Sequence, residues 1–329
     1  MKRLRVILVC LLAVALIAWR LVTDYSVPAG TDLNTFLRTA TAGDTFILQD
    51  GDYSGGIWIS ERNGNALQPI TLRAEHAGKA RIVGSSATRS DGLTLYKSAW
   101  WVLDGVVFTG AKNAGIRVST SDHTTITNCL TISNGVFGLL TGSSSYGMVS
   151  GSNFLFNTEQ HGAYVSSPGS VGWTFDHCNF AWNGRAGLQI NSQGAPGPPA
   201  SDCRVTNCSI NNNGQLNQAA AINCLGVVNS VFESCTIHDN LAGGISFGPN
   251  GRPGGESTGN LVTNCAITFQ AGTGRSCIQT TGGTQTAVNN RLWAGRAPSV
   301  PILALSGGTI VQSGNTVLPV AGTTPSPLP

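Results

Sequence analysis

Two residues in the middle of the chain have the types and the spacing that proton transfer needs. His161 and Tyr164 lie in the segment HGAYV, and Glu159 precedes them. Imidazole and phenol groups act as general bases and acids in many enzymes. In a β-elimination, a base removes the C5 proton of a uronate and an acid protonates the leaving oxygen. We predict His161 and Tyr164 as catalytic residues. The alternative is that His161 caps a turn and Tyr164 stacks on a sugar ring.

A β-elimination also needs positive charge beside the substrate carboxylate, because negative charge develops there in the transition state. Arg117 and Arg185 are the cations that the pattern places near the pair, and both are predicted to contribute to catalysis. Arg117 is expected about 10 Å from Tyr164, at two strand spacings. His177 and His238 fall beside turns of the repeat and are interpreted as structural.

These residues are positioned by an internal repeat of roughly two dozen residues. Successive copies begin GIRVSTSDHTTITNC, GLLTGSSSYGMVSGS and GAYVSSPGSVGWTFDHC. Each copy holds short strands of alternating polarity separated by Gly, Ser and Asn, without helical periodicity. Such strands bury a face only when copies stack as coils. The sequence therefore predicts an all-β fold, a single-stranded right-handed parallel β-helix.

One position of the repeat predicts a groove floor. In each strand of the G-I-x-V type, the residue after the inward apolar side chain faces solvent. Coil by coil, this position is occupied by Arg117, Leu140, Tyr164, Gln189, Asn223, Ser246 and Gln279. The row is polar and aromatic, which suits sugar hydroxyls and ring faces. The residues predicted to bind substrate are Gln189, Asn191, Asn223, Ser246 and Gln279. Extra loop length near Gln189 and Ser246 is expected to wall this groove; the alternative is that these loops are decoration.

A second repeat position carries the cysteines. It is occupied by Cys129, Cys178, Cys208, Cys235 and Cys265, with Ser152 in the remaining copy. Equivalent side chains on parallel strands point the same way, so we predict an inward ladder of free thiols rather than disulfides. The preceding residues Asn128, Asn207 and Asn264 are expected to cap backbone groups at a turn.

Composition excludes other classes of protein. Charged residues make up only 11% of the chain and the net charge is +3, without a basic stripe, so we predict no nucleic-acid partner. The sequence has no CxxC, HExxH or GGxGxD motif, and no resident metal site is predicted. Calcium held by scattered Asp and Asn stays an open alternative.

The N-terminus has the pattern of an export signal. Lys2, Arg3 and Arg5 precede an apolar run that ends at Trp19, which is short for a membrane span. We predict a signal peptide or N-terminal anchor at residues 1–29, the β-helix at 30–320 and a Pro-rich tail at 321–329. The expected location is secreted, periplasmic or at the cell surface, with membrane contact only through an uncleaved N-terminal segment.

The chain resembles a known group of β-helix enzymes. Its repeats are similar to those of pectate-lyase-like proteins. The segment from Ala42 to Thr45, the turn from Asp50 to Tyr53, PITLRAE (69–75) and VLDGVVF (102–108) resemble the alginate lyase and chondroitinase B family. That family uses a Lys base and an Arg acid in segments like NKS and RHG, beside acidic calcium ligands. Neither segment occurs after Phe108 and no Lys follows Lys112, so those residues are not carried over.

Three functions follow as expectations. The first is an exported polysaccharide lyase-like enzyme that cleaves an acidic glycan by β-elimination. The second is a non-catalytic glycan-binding or surface structural β-helix. The third is a glycoside hydrolase, which needs two carboxylates roughly 5 to 9.5 Å apart. The groove row has no carboxylate, and the nearby ones are Glu159, Asp202 and Glu256.

Overall fold

The computed structural model describes residues 23–192, 197–216, 219–268, 276–293 and 300–318. Over these residues the chain winds as a solenoid, and three long sheets made of parallel strands form its walls. Nearly all hydrogen-bonded strand neighbours come from successive coils. The predicted parallel β-helix is confirmed.

Three walls, named sheets A, B and C, are met in that order along each coil. Sheet A contains β1 (Asp24–Val27), β2 (Thr45–Leu48), β5 (Ile70–Ala74), β8 (Trp101–Asp104), β11 (Thr125–Thr127), β14 (Met148–Ser150), β17 (Thr174–Asp176), β21 (Arg204–Thr206), β25 (Val231–Glu233), β28 (Asn260–Thr263), β31 (Thr284–Val288) and β34 (Thr309–Ser313). Sheet B contains β3 (Gly51–Ser54), β6 (Ala80–Val83), β9 (Val107–Thr109), β12 (Leu130–Ile132), β15 (Asn153–Leu155), β18 (Asn179–Ala181), β22 (Ser209–Asn211), β26 (Thr236–His238), β29 (Ala266–Thr268), β32 (Arg291–Trp293) and β35 (Thr316–Val317).

Sheet C is the wall that carries the predicted groove. It contains β4 (Ile57–Ser60), β7 (Leu93–Tyr96), β10 (Ala114–Ser119), β13 (Phe137–Gly142), β16 (Ala163–Ser166), β19 (Leu188–Asn191), β23 (Ile222–Leu225), β27 (Ile245–Gly248), β30 (Ile278–Thr281) and β33 (Ile302–Leu305). A small additional sheet pairs β20 (Ala200–Ser201) with β24 (Val227–Val228) at the corner between sheets C and A.

The alternation of side chains along each strand builds the core. In β10, Ile116 and Val118 are fully buried, whereas Arg117 between them points outward and is half-buried. Successive side chains of a strand point to opposite faces, so the inward residues of all coils stack along the axis. The result is one continuous apolar core that runs the length of the solenoid.

The corner between sheets A and B holds the predicted cysteine ladder. Cys129, Cys178, Cys208, Cys235 and Cys265 are all buried and free, which confirms the prediction. The Cys178 backbone N–H donates to the Cys208 sulfur, and the Cys129 N–H donates to Ser152 Oγ in the same way. The ladder therefore links neighbouring coils by hydrogen bonds as well as by packing.

The asparagines that precede these cysteines are only partly as expected. Asn128, Asn207 and Asn264 have φ values of 51°, 54° and 55°, the left-handed conformation that Asn tolerates. Their side chains do not cap the backbone as predicted. Asn128 Nδ2 donates to Asp104 and Asn207 Nδ2 donates to Asp176, carboxylates of the preceding coil. A charged acceptor one coil away competes better for the amide than a local carbonyl does.

A second ladder, not predicted, lies at the corner between sheets B and C. It consists of Asn134, Asn157, Asn183, Asn213 and Asn240, all of them buried. Each Nδ2 from Asn134 to Asn213 donates to the Oδ1 of the next member, at 2.8 to 3.2 Å. The amides of Asn134, Asn183 and Asn213 also donate to backbone carbonyls of the preceding coil. These bonds fix the turns that precede five strands of sheet C, namely β13, β16, β19, β23 and β27.

The first coil is capped by a helix, α1 (Leu33–Phe36), followed by a 3-10 turn at Leu37–Thr39. Asp32 accepts hydrogen bonds from the N–H groups of Asn34 and Thr35, which stabilises the N-terminus of α1. β1 lies before the predicted domain boundary at residue 29. None of the described helices is long and apolar enough to cross a membrane. Residues 1–22 of the predicted signal or anchor segment (1–29) and the Pro-rich tail (321–329) lie outside the described residues.

Candidate functional site

The outward position of sheet C forms one unbroken line. Arg117, Leu140, Tyr164 and Gln189 are register partners on successive strands. The line continues in register through Asn223, Ser246 and Gln279 to Leu303, as predicted from the repeat. It also extends toward the N-terminal end of the solenoid through Thr94 and Trp58, which the sequence did not predict. At strand spacing, its ten members span about 43 Å, which suits a long linear ligand.

A cluster of polar and aromatic side chains lies mid-way along this line. The Tyr164 hydroxyl accepts a hydrogen bond from Asn191 Nδ2 at 3.1 Å. The His161 and Tyr164 rings meet edge to face, with centroids 5.5 Å apart. Phe137, on the preceding coil, contacts both rings. The structure thus brings together His161, Tyr164 and Asn191, although their chemical roles stay predictions.

His161 is a neutral side chain in this fold. It is only 4% exposed. Burial and the nearby Arg185 charge lower the pKa of His161 to about 3. Its Nδ1 accepts a hydrogen bond from the Ala186 backbone N–H, so the ring proton resides on Nε2. The unprotonated nitrogen, Nδ1, already accepts a hydrogen bond, so it is poorly suited to remove a proton from a substrate. The protonated nitrogen, Nε2, can still donate a hydrogen bond.

The two predicted arginines have different surroundings. Arg185 lies in the turn before β19, and its buried Nε has no hydrogen-bond partner among the described residues. Arg117 lies two strands from Tyr164, and its Nη1 approaches Asp91 Oδ2 at 3.8 Å, toward the preceding coil. The structure therefore groups Arg185 with His161, whereas Arg117 belongs with Asp91 near the N-terminal end of the groove.

The predicted substrate-binding residues form side-by-side pairs. Asn223 Nδ2 donates to Gln189 Oε1 at 3.2 Å, and Gln279 Nε2 donates to Ser246 Oγ at 2.8 Å. Asn223, Ser246 and Gln279 are half-buried, whereas Gln189 and Asn191 are buried, with 9% and 4% of their surface exposed. The loop after β27 reaches the loop after β19 through a hydrogen bond from Asn250 Nδ2 to Ser192 Oγ at 3.0 Å. Residues 193–196 of the earlier loop lie outside the described chain.

The carboxylates considered for hydrolysis are spread over two corners. Glu159 lies at the corner between sheets B and C, whereas Asp202 and Glu256 lie at the corner between sheets C and A. None of the three belongs to the outward row. Asp91 is a carboxylate that does approach the groove, beside Arg117, and the repeat did not predict it because it precedes its strand. It accepts hydrogen bonds from Thr94 Oγ1 and the Ala114 N–H.

A further concave surface, also unpredicted, lies on the outer face of sheet A. It encloses about 520 Å³ and includes Met148, Asp176, Arg204 and Glu233. Hydrogen bonds from Thr206, Asn207 and His177 lower the pKa of Asp176 to about 2. Arg204 pairs with Glu233 at 3.5 Å. Asp176 is therefore ionised at neutral pH and does not suit the role of a general acid.

A calcium ion does not fit the middle of the groove. Calcium takes six to eight oxygen ligands, mainly from carboxylates. In the described ranges, one group of three His, Asp or Glu side chains has ligand atoms within 4.8 Å of one another, namely Asp50, Glu75 and His76. This group is exposed at the corner between sheets A and B, away from the groove on sheet C. No step of the chemistry is therefore derived through calcium.

Comparison with known proteins agrees with this architecture. The chain matches the family described as "Right handed beta helix region" over residues 91–214 and 155–317, and the Chondroitinase B family over residues 27–146. A search of curated protein sequences finds no significant match.

Several solved structures share the fold. An alginate lyase from Paenibacillus sp. str. FPU-7 has 16% identity and a TM-score of 0.66, covering 89% of this chain and 98% of that one. Pectate lyase Pel9A has 16% identity and a TM-score of 0.62, covering 89% and 78%. The catalytic unit of a GH87 α-1,3-glucanase from Streptomyces thermodiastaticus has 16% identity and a TM-score of 0.60, covering 94% and 72%. Because the family match covers more than half of the sequence and agrees with the stacked parallel coils, the chain belongs to the right-handed β-helix family.

Proposed function

We propose that this protein is a polysaccharide lyase-like enzyme that holds an acidic glycan along sheet C and cleaves it by β-elimination near Tyr164. The observation that carries the proposal is the unbroken register of the outward row, with the His161–Tyr164–Asn191 cluster mid-way along it. A row of amides, hydroxyls and aromatic rings offers hydrogen bonds and stacking surfaces to successive sugars. The likeness to an alginate lyase and a pectate lyase supports this substrate class.

In the proposed reaction Tyr164 carries the proton. Its phenolate takes the C5 proton of the uronate, the bond from C4 to the bridging oxygen breaks, and a C4–C5 double bond forms. The same proton then passes from the phenol to the leaving oxygen, which regenerates the phenolate. The Asn191 amide donates a hydrogen bond to the Tyr164 oxygen and orients the phenol group in the groove. His161 is a positioning residue here, because its ring packs on Tyr164 while its Nδ1 is held by the Ala186 N–H.

Arg185 supplies positive charge to this reaction. Its buried Nε lacks a partner in the described part of the chain, and it belongs to the coil next to that of Tyr164. A guanidinium pairs with a carboxylate through parallel hydrogen bonds, which neutralises the charge that develops as C5 is deprotonated. Arg117 is assigned to binding of the glycan away from the reacting sugar, because its contact with Asp91 holds it toward the N-terminal end of the groove.

The second candidate is a β-helix that binds glycan without cleaving it. It is favoured by the low charge of the mid-groove and by the paired side chains of Gln189, Asn223, Ser246 and Gln279. A surface of this kind binds sugars through neutral hydrogen bonds and needs no proton carrier. Under either candidate, the apolar run that follows Lys2, Arg3 and Arg5 supports export, so that the glycan is met outside the cytoplasm.

The test is product formation by wild-type protein and by Tyr164→Phe, with Tyr146→Phe as the matched control. Tyr146 is exposed whereas Tyr164 is half-buried, and Tyr146 lies away from the groove, at the corner between sheets C and A. Alginate, pectate and chondroitin are incubated with each protein, and unsaturated-product absorbance and reducing ends are followed together. Loss of Tyr164 as proton carrier is expected to lower turnover by at least ~100-fold and to change glycan affinity by less than about twofold.

The remaining outcomes separate the other functions. Reducing ends without absorbance from the wild-type protein would indicate hydrolysis and contradict elimination. Binding without any product would favour the second candidate. Equal turnover by Tyr164→Phe and Tyr146→Phe would remove Tyr164 from the mechanism.

A further inference from the structure

An aromatic and cationic cluster lies at the N-terminal end of the same outward row. The Trp58 indole and the Tyr96 ring stack with centroids 5.2 Å apart and planes inclined by 29°. The Arg89 guanidinium lies over Trp58, 4.0 Å from the ring centroid, and Lys97 Nζ lies 5.4 Å from the Tyr96 centroid. Two cations therefore flank two stacked rings on the outer surface of sheet C. We name these four residues the end cluster.

The fold holds Arg89 in place over the indole. The Ser86 N–H donates to the Arg89 carbonyl, and the Arg89 N–H donates back to Ser86 Oγ at 3.0 Å, which closes a four-residue turn. This turn packs on Gly56, where an added Cβ would lie 2.6 Å from Ser86. The glycine next to β4 thus lets the loop descend onto the edge of sheet C. A cation held by such a turn loses little conformational freedom when it binds a ligand.

The charges of the end cluster are only partly neutralised. Within the described residues, Arg89 has no carboxylate at ion-pair distance, and Lys97 has one loose pair with Glu61 at 3.9 Å. Arg117, two strands from Trp58, adds a third cation paired loosely with Asp91. The Arg89 guanidinium makes no side-chain hydrogen bond to another described residue, so its N–H donors are available to a carboxylate while its charge lies over Trp58.

We infer that the end cluster is a distal subsite that binds a carboxylate-bearing sugar of an acidic glycan lying along sheet C. The inference rests on the proposed function and names its substrate class as polyuronate. Trp58 and Tyr164 lie in one row, four strand steps apart, which corresponds to about 19 Å at strand spacing. A single extended oligosaccharide can therefore reach the end cluster and the mid-groove at once. Arg89 and Lys97 bind its carboxylates, whereas Trp58 and Tyr96 line the sugar rings.

The test measures binding of oligogalacturonate, oligoalginate and a neutral β-glucan to the full chain by calorimetry, at two salt concentrations. The double variant Arg89→Gln, Lys97→Gln is expected to weaken uronate binding at least fivefold and to reduce its salt dependence. The matched control is Lys79→Gln, Arg81→Gln, which removes two exposed cations on the sheet B side and should stay within twofold of wild type. Neutral glucan binding should not respond to either change.

Four outcomes distinguish this inference from the proposed function. Uronate binding that depends on Arg89 and Lys97, without any cleavage product, supports the subsite and overturns the lyase assignment. Uronate cleavage by the wild type, with equal affinity in the two double variants, overturns the subsite and leaves the lyase assignment standing. Failure of the wild type to bind either uronate overturns both. Preference for the neutral glucan also overturns the subsite, because its cations would then have no ligand.

Discussion

The backbone N–H of Ala186 donates a hydrogen bond to Nδ1 of His161 across neighbouring coils, at 3.1 Å. This bond determines the protonation state of His161, because it places the ring proton on Nε2 and leaves no ring nitrogen free to accept a proton from a substrate. If the ring were protonated, the Nδ1–H of His161 would point at the backbone N–H of Ala186, and two donors would face each other in a buried site. The imidazole is therefore held by the scaffold next to Tyr164, whose ring it meets edge to face.

The first prediction concerns the pH dependence of stability. The pKa of His161 is lowered to about 3 in the folded protein, whereas an unfolded His titrates near 6.5. Between these values the unfolded chain binds more protons, so the free energy of unfolding falls as the pH falls below about 6.5. The loss from this residue is about 3 kcal/mol between pH 7 and pH 4. Urea unfolding at both pH values measures it.

The control for that experiment is an acceptor-preserving variant. In His161→Asn, the amide oxygen can still accept the Ala186 N–H, but the side chain does not titrate. Its stability difference between pH 7 and pH 4 should be smaller than that of wild type by the His161 contribution. His76→Asn, at an exposed histidine beside Asp50, should leave the difference almost unchanged. Equal pH dependence in wild type and His161→Asn would contradict the buried neutral state.

The second prediction concerns the coupling of Arg185 to His161. After burial, the positive charge of Arg185 is the next cause that lowers the pKa of His161. Arg185→Gln is therefore expected to raise the pKa of His161, although it stays below 6.5 because the ring remains buried. Ring nitrogen chemical shifts followed by NMR titration report this value directly. Arg204→Gln, on the outer face of sheet A, is the charge-matched control, and an unchanged pKa in Arg185→Gln would refute the coupling.

The repeat made sheet C and its outward row predictable from sequence. Once GIRV, GLLT and GAYV are aligned, the alternation of strand side chains assigns Arg117, Leu140 and Tyr164 to one line. The thiol ladder followed from the same alignment. Local chemistry within a coil was not predictable this way, because it depends on which neighbour a side chain reaches. Asn128 binds Asp104 of the preceding coil, a choice that the repeat pattern does not encode.

The residues of the row near its N-terminal end were not predictable for a different reason. Trp58 and Thr94 are register partners, but a long coil with its own loops separates them, so the repeat could not be extended back to Trp58. The asparagine ladder, in contrast, left a usable pattern. Its members recur 23, 26, 30 and 27 residues apart, in step with the coils. The propensity of Asn for turns does not by itself distinguish an exposed turn from a buried ladder, whereas this recurrence does.

The third prediction concerns the stability provided by this ladder. Asn183 is fully buried, donates to Asn213 Oδ1 at 2.8 Å and to the Phe154 carbonyl at 3.0 Å, and accepts from Asn157. Asn183→Ala leaves several of these groups unpaired away from water, which should lower the free energy of unfolding by about 2 to 4 kcal/mol. Chemical denaturation measures the change.

Asn179→Ala is the matched control for the ladder. Asn179 belongs to the same coil but lies on the outer face of sheet B, where its side chain accepts one bond from Asn211 at 3.3 Å. Water can replace that bond, so the loss should stay below about 1 kcal/mol. Similar losses in the two variants would show that burial of the ladder amides is not what stabilises the turns.

The fourth prediction concerns the thiols. The eight cysteines that the structure describes are buried and free, and burial raises the pKa of Cys129, Cys203 and Cys277 to about 12. Because the fold buries all eight sulfur atoms away from the reagent, iodoacetamide should label none of them in the folded protein at pH 8, and all of them in urea. Peptide mass mapping identifies the labelled positions.

Substitution at Cys208 tests the ladder itself. Ser152 already occupies an equivalent position, where its Oγ accepts from the Cys129 N–H and donates to the Ser150 carbonyl. Cys208→Ser can reproduce both bonds and should cost less than about 1.5 kcal/mol, whereas Cys208→Leu adds volume to a filled stack and should cost about 1 to 3 kcal/mol. Urea denaturation of the two variants ranks them. A greater loss from serine than from leucine would mean that apolar volume, and not the hydrogen bond between coils, governs this position.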